Sequence, residues 1–188
     1  MILIVDLCYR EGSLSAFEFV KPVAGIVRRN EFPLQIRHRS RLTPQDLASA
    51  ERIILCGTAL RDSAFAGHPQ TFAWIKRVRV PVLGICSGMQ AMALAFGGSL
   101  TPSREIGMTE VRCTCPDPLL EGHGRFSAYE VHGAGVVPPP GFTVLAESDR
   151  CIQAIRHPDL PFYGILFHPE VRNEWVVERF LTLSWRIC

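Results

Sequence analysis

The sequence predicts an α/β fold in which a mainly parallel central sheet carries helices on both faces and is followed by a β-rich second half. Short β-rich runs alternate with helical patterns through the first half of the chain. From Met108 onward the pattern becomes β-rich and is interrupted by many prolines and glycines. The length of 188 residues, 47% of them hydrophobic, suits one domain over residues 1–188 with a sizeable core.

The elements of the first half follow from short apolar runs and their breakers. Strands are predicted at residues 2–6, 34–38, 52–56 and 80–85. Helices are predicted over residues 14–29, 44–50, 70–77 and 87–96. Pro22 is expected to break or kink the first helix, because proline removes a backbone donor. The last of these helices is rich in Ala, Met and Leu and should end at Gly97 and Gly98.

The second half is expected to extend the sheet and to close with a helix. Strands are predicted at residues 143–147, 151–156 and 163–167, and a helix over residues 174–183. The proline-rich run 138–141 is interpreted as a rigid surface turn and not as a domain linker.

Charge and composition exclude several classes of partner. Lys plus Arg (20) against Asp plus Glu (18) leaves a net charge of +2, too small for a nucleic-acid-binding surface. No apolar run approaches the roughly 20 residues that span a bilayer, so no membrane partner is expected. Seven cysteines, an odd number in a chain without an export signal, favour the reducing cytoplasm.

The segment Gly84-Ile-Cys86-Ser-Gly88 follows an apolar strand and runs directly into a helix. This is the nucleophile-elbow pattern with cysteine as the nucleophile, in which side chains at the flanking glycines would clash with neighbouring backbone. The start of a helix favours a thiolate, and the N–H of Ser87 should point to where an oxyanion forms.

A thiol nucleophile needs a base and a group that orients the base. His168 and Glu170 are two residues apart in an extended segment and should face the same side, with Pro169 between them. A second oxyanion donor is predicted at Gly57, which follows the strand at residues 52–56. Taken alone, each of these two segments is more typical of a plain surface turn.

Together these residues resemble the class I glutamine amidotransferases. The segments Gly-Ile-Cys-Ser-Gly-Met-Gln, ending at Gln90, and Gly-Ile-Leu-Phe-His-Pro-Glu, ending at Glu170, match the two motifs of that family. The resemblance runs over essentially the whole chain and implies a flavodoxin-like sheet. Among the branches of the family, the chain is most similar to the amidotransferase part of GMP synthase. That branch usually has Ser-His-Gly-Asp where this chain has residues 131–134, Val-His-Gly-Ala.

The resemblance implies a role for each matched residue. Cys86 would be the nucleophile, His168 the base and Glu170 its partner, and Gly57 and Ser87 would supply the oxyanion donors. Gln90 would contact the substrate glutamine. His132 either lines the glutamine pocket or is a hydrogen-bonded turn histidine, and both interpretations remain open.

No cofactor and no metal are expected. Cys113, Cys115 and His123 match no common zinc spacing. The predicted function is the hydrolysis of L-glutamine to glutamate and ammonia through a glutamyl thioester, with ammonia passed to a separate ATP-dependent synthetase, GMP synthase being one candidate. Two alternatives remain: a free-standing cysteine hydrolase of γ-glutamyl compounds, and a non-catalytic module that binds glutamine or a partner.

Overall fold

The computed structural model describes residues 1–184 as a sheet of nine strands with helices packed on it. The strands are β1 (Ile2–Asp6), β2 (Leu34–His38), β3 (Arg52–Leu55), β4 (Val82–Ile85), β5 (Ser99–Cys113), β6 (Arg125–Val137), β7 (Thr143–Glu147), β8 (Ile152–Arg156) and β9 (Phe162–Ile165). The α-helices are α1 (Ser15–Phe19), α2 (Lys21–Arg29), α3 (Pro44–Ala48), α4 (Ser87–Ala95) and α5 (Trp175–Thr182). Two 3₁₀ helices cover Arg39–Arg41 and Pro69–Arg77.

The sheet has the order β2-β1-β3-β4-β9-β8-β7-β5-β6. The pairings from β2 to β9 are parallel. The pairings from β9 to β6 are antiparallel. The α/β prediction is therefore confirmed, with the change from parallel to antiparallel pairing at β9. No helix within residues 1–184 has the length and apolar character needed to cross a membrane.

Both faces of the parallel part are covered, as alternate residues of β1 show. Ile4 belongs to a core that contains buried residues of α2 and α5. Val5, its neighbour, belongs to a second core with Phe72 and with Met92 of α4. A strand buried on both faces is expected to be mainly apolar, and β1 is apolar from Ile2 to Val5. This pattern explains why β1 was recognisable from its sequence.

The predicted break at Pro22 is confirmed, because α1 ends at Phe19 and the proline stands at the start of α2. The segment predicted as a helix at residues 70–77 forms a 3₁₀ helix. The largest difference is the hairpin of β5 and β6, which the sequence indicated only as a β-rich region after Met108. Its alternation is interrupted by prolines and glycines, and its register shifts between Pro102 and Glu105.

Candidate active site

The nucleophile elbow lies between β4 and α4. Cys86 has φ 48° and ψ −106°, a sparsely populated backbone conformation for a residue with a side chain. A Cβ added at Gly84 would lie 2.5 Å from the carbonyl carbon of Gly88, and one added at Gly88 would lie 2.3 Å from the carbonyl oxygen of Leu55. Both glycines are therefore required for steric reasons, as their flanking positions indicated.

His168 and Glu170 form a buried pair next to Cys86. Nδ1 of His168 lies 2.7 Å from Oε1 of Glu170. The backbone N–H of His168 donates to the carbonyl oxygen of Tyr129 at 2.9 Å, and its ring packs 5.3 Å from the ring of Phe19. Glu170 and the ring of Phe19 hold the imidazole from two sides, with Nδ1 engaged and Nε2 without a hydrogen-bond partner within residues 1–184.

The electrostatic surroundings of His168 favour its charged form. Burial alone lowers the pKa of this imidazole, but the adjacent Cys86 and Glu170 raise it well above its ordinary value. Nε2 has no partner with hydrogen-bond geometry within residues 1–184, although Cys86 is near enough for its charge to act on the ring.

Gly57 lies against both groups. A Cβ added there would stand 2.7 Å from Cε1 of His168 and 3.4 Å from Cβ of Cys86. The backbone N–H groups of Gly57 and Ser87 donate no hydrogen bond within residues 1–184. Gly57 and Ser87, the two predicted oxyanion donors, therefore lie beside Cys86 with N–H groups that no residue of 1–184 accepts, and their role remains a prediction.

A hydrogen bond between side chains joins the Gly57 segment to the start of α4. The hydroxyl oxygens of Thr58 and Ser87 are 2.6 Å apart and buried. Because Thr58 also donates to the carbonyl oxygen of Asp62 at 3.2 Å, the Ser87 hydroxyl is the donor to Thr58. Sequence reasoning used only the backbone of Ser87 and missed this contact.

A cavity of about 260 Å³ adjoins Cys86 and Ser87. One wall comes from residues 58–66, and the other comes from Gln90 and residues 131–134. Nε2 of Gln90 donates to the carbonyl oxygen of Ala134 at 2.7 Å and so joins α4 to that wall. Gln90 lies where a substrate contact was predicted, and its role remains a prediction.

His132 belongs to the wall, but both nitrogens of its buried ring face protein groups. Nδ1 lies 3.1 Å from the carbonyl oxygen of Ser103. Nε2 lies 3.3 Å from one carboxylate oxygen each of Glu105 and Glu130. Burial lowers the pKa of His132, but Cys151, Glu130 and Cys86 raise it to about 10. A contact with substrate stays a prediction for this residue.

Two features of the region were not found from the sequence. One is the contact between Thr58 and Ser87, and the other is the buried group formed by Glu105, Glu130 and His132. The only sequence signal for the group of Glu105, Glu130 and His132 was the two-residue spacing of residues 130 and 132 on a strand. Only the pairing of that strand with β5 brings Glu105 next to them.

The segment that contains Cys113, Cys115 and His123 packs against α5. The Cys113 thiol donates to the carbonyl oxygen of His123 at 2.9 Å. The ring of His123 stacks on Trp175 with centroids 3.7 Å apart. These contacts tie the loop after β5 to α5.

Comparison with known proteins identifies a family whose model matches most of this chain. The model of the family described as glutamine amidotransferase class-I matches residues 19–181. The glutamine-hydrolyzing GMP synthase subunit of Methanothrix thermoacetophila is 35% identical over 162 residues, 81% of this chain and 87% of that protein. The corresponding protein of Methanosarcina acetivorans is 37% identical over 122 residues, 62% of this chain, and the match spans 65% of that protein's length. A crystal structure from Thermoplasma acidophilum, provisionally described as belonging to GMP synthase, superposes with a TM-score of 0.81 at 24% identity, covering 96% of this chain and 92% of that one.

Proposed function

Because the chain belongs to the class I glutamine amidotransferases, a family of enzymes, we propose that it hydrolyses L-glutamine with Cys86, His168 and Glu170 and passes the ammonia to a separate synthetase subunit. One observation supports this proposal above the others: the buried pair of His168 and Glu170 lies beside a strained cysteine at a helix start. This arrangement of nucleophile, base and orienting acid is the one that acyl transfer requires.

In the first half-reaction, the thiolate of Cys86 attacks the side-chain amide carbon of glutamine and forms a carbon–sulfur bond. The carbonyl oxygen becomes an oxyanion. His168 then donates its Nε2 proton to the amide nitrogen, the carbon–nitrogen bond breaks and ammonia leaves. Glu170 accepts a hydrogen bond from Nδ1 at 2.7 Å and stabilises the imidazolium that precedes this step. A glutamyl thioester remains on Cys86.

In the second half-reaction, His168 takes a proton from water, and the resulting hydroxide attacks the thioester carbon. The carbon–sulfur bond breaks, glutamate leaves and the Cys86 thiolate is restored. The sum is glutamine plus water giving glutamate plus ammonia. Both tetrahedral intermediates carry their negative charge next to the free N–H groups of Gly57 and Ser87, and each such donor contributes about 2.7–4 kcal/mol in related chemistry.

The proposed acceptor is a nucleotide such as XMP on an ATP-dependent synthetase encoded as a separate chain. The relatives named as glutamine-hydrolyzing subunits of GMP synthase support this choice. The proposed setting is the cytoplasm, because the chemistry requires a reduced thiol and the six cysteines of residues 1–184 are all free.

The experiment measures glutamate release by the purified chain alone and with the candidate synthetase, XMP and ATP. Wild type, Cys86→Ala and Cys115→Ser are compared, the last being a thiol control in the loop after β5. Hydrolysis that is lost only in Cys86→Ala and is accelerated by the synthetase supports the proposal. Full-rate hydrolysis by the chain alone, with γ-glutamyl compounds accepted equally well and no response to any synthetase, would indicate a free-standing hydrolase.

A further inference from the structure

We propose that Glu105, Glu130, His132 and Cys151 form a binding site for a divalent transition-metal ion, best suited to Zn²⁺, behind the wall of the glutamine pocket. The donor atoms of Glu105, His132 and Cys151 all lie within 4.8 Å of one another. Glu105 and His132 are cross-strand partners on β5 and β6. Cys151 comes from the turn between β7 and β8, so the site would join two parts of the antiparallel sheet.

The distances within the group match the edges of a small coordination polyhedron. Nε2 of His132 lies 3.3 Å from Oε2 of Glu105 and 3.3 Å from Oε2 of Glu130. The thiol of Cys151 lies 3.2 Å from Oε2 of Glu105. Ligands on zinc bonds of about 2.1 Å are about 3.4 Å apart in a tetrahedron. One ion bound by Glu105, His132 and Cys151 would therefore need only small movements of these three side chains, and Glu130 would turn towards it as the fourth ligand.

The tautomer of His132 points to an ion in the same place. A carbonyl oxygen can only accept, so the Nδ1 atom next to the Ser103 carbonyl oxygen, 3.1 Å away, carries a hydrogen. In the neutral ring, Nε2 then presents a lone pair to two carboxylates. In the charged ring, the Nε2 proton would lie between the two carboxylates, yet Nε2 has no partner with hydrogen-bond geometry within residues 1–184. A histidine that donates Nδ1–H to a backbone carbonyl and coordinates through Nε2 is a common arrangement in metal sites.

Glu130 supplies an independent observation. Its side chain has no exposed surface, and within residues 1–184 neither of its carboxylate oxygens has a hydrogen-bond partner. Leaving a buried carboxylate unsatisfied is costly. Its Oε2 lies 3.3 Å from Nε2 of His132, the nitrogen that would bind the ion, so Glu130 is a buried carboxylate within reach of that ligand.

Two further side chains would support the ligands. The amide of Gln153 donates to Oε2 of Glu105 at 2.8 Å, and the hydroxyl of Ser148 donates to the same oxygen at 3.1 Å. Such contacts orient a metal-bound carboxylate. Cys151 is only partly buried and gives the ion a route from solvent. A thiolate together with imidazole and carboxylate favours Zn²⁺ over Mg²⁺ or Ca²⁺.

The test uses the full chain without an affinity tag and with Cys86→Ala, so that the catalytic thiol cannot bind the metal. After treatment with a chelator, the protein is titrated with Zn²⁺ and separately with Co²⁺. We expect one ion per chain, a thiolate-to-cobalt charge-transfer band, and protection of Cys151 from alkylation by Zn²⁺. Cys151→Ser should abolish the band, and Glu130→Gln should weaken binding at least about 10-fold. Cys115→Ser should change neither result.

Three results would overturn the proposal, and none of them depends on whether the chain hydrolyses glutamine. These are the absence of stoichiometric binding, a cobalt band that survives Cys151→Ser, or alkylation of Cys151 at the same rate with and without Zn²⁺. The alkylation measurement requires no substitution in the group, so it remains decisive if a ligand variant fails to fold.

Discussion

Gly57→Ala should impair catalysis while leaving the fold intact, because the added methyl group would collide with the imidazole of His168. The new Cβ would lie 2.7 Å from Cε1 of His168, where ordinary contact begins at 3.4 Å. The ring cannot yield freely, since it is buried and its Nδ1 is held by Glu170. A displacement approaching 1 Å at a catalytic group costs about 100-fold, so we expect kcat to fall by about 10- to 100-fold.

The assay is steady-state glutamate release together with thermal unfolding. The matched control is Gly25→Ala in α2, whose Cβ would meet only Nη1 of Arg29 at 3.4 Å. This control should keep the wild-type kcat and gain about 0.5–1 kcal/mol of stability, because glycine is unfavourable inside a helix. A Gly57→Ala enzyme with unchanged kcat and KM would refute the proposed contact between the Gly57 segment and the base.

Four further predictions concern the same site. Cys86→Ala should abolish hydrolysis in the glutamate assay, and a wild-type rate would contradict the assignment. A glutamine-like electrophile should label Cys86 before any other thiol, and mass mapping of another first site would contradict it equally. His168→Ala should be nearly as damaging in the glutamate assay, whereas Glu170→Gln should retain some activity, so the reverse order would show that the roles are wrong. Thr58→Val should cost about 1–3 kcal/mol in unfolding experiments, since it removes the partner of the buried Ser87 hydroxyl, and Thr58→Ser should restore most of it. A synthetase that favours the active conformation of the Gly57 segment by about 1–3 kcal/mol should raise turnover about 5- to 150-fold, and an unchanged rate would exclude such coupling.

The sequence predicted the short strands well. The bounds of β1, β2 and β7 agree with the predicted ranges, and those of most other elements differ by one or two residues. The hairpin of β5 and β6 was the main element that the sequence did not predict. One of its faces is solvated, and a positive φ at Gly107 and a bulge near Pro102 interrupt the period of two that would have marked it as a strand.

Within the site, the residues that sequence reasoning identified lie in short local motifs. The elbow around Cys86 and the two-residue spacing of His168 and Glu170 are visible without knowledge of the fold. The partnership of Thr58 with Ser87 joins residues 29 positions apart, and that of Glu105 with Gln153 joins residues 48 positions apart. Such pairs depend on strand order and register, which no local pattern encodes.

The pairing of β4 with β9 has a further consequence. Cys86 directly follows β4 and His168 lies three residues beyond the end of β9, and the last residues of these adjacent parallel strands, Ile85 and Ile165, are in register. Hydrogen bonds between the strands, not continuity of the chain, therefore hold Cys86 near His168. Two fragments divided in the turn at residues 138–141 and mixed should reassemble a working centre. The site depends on the pairing of β4 with β9, and not on the order of these strands along the chain.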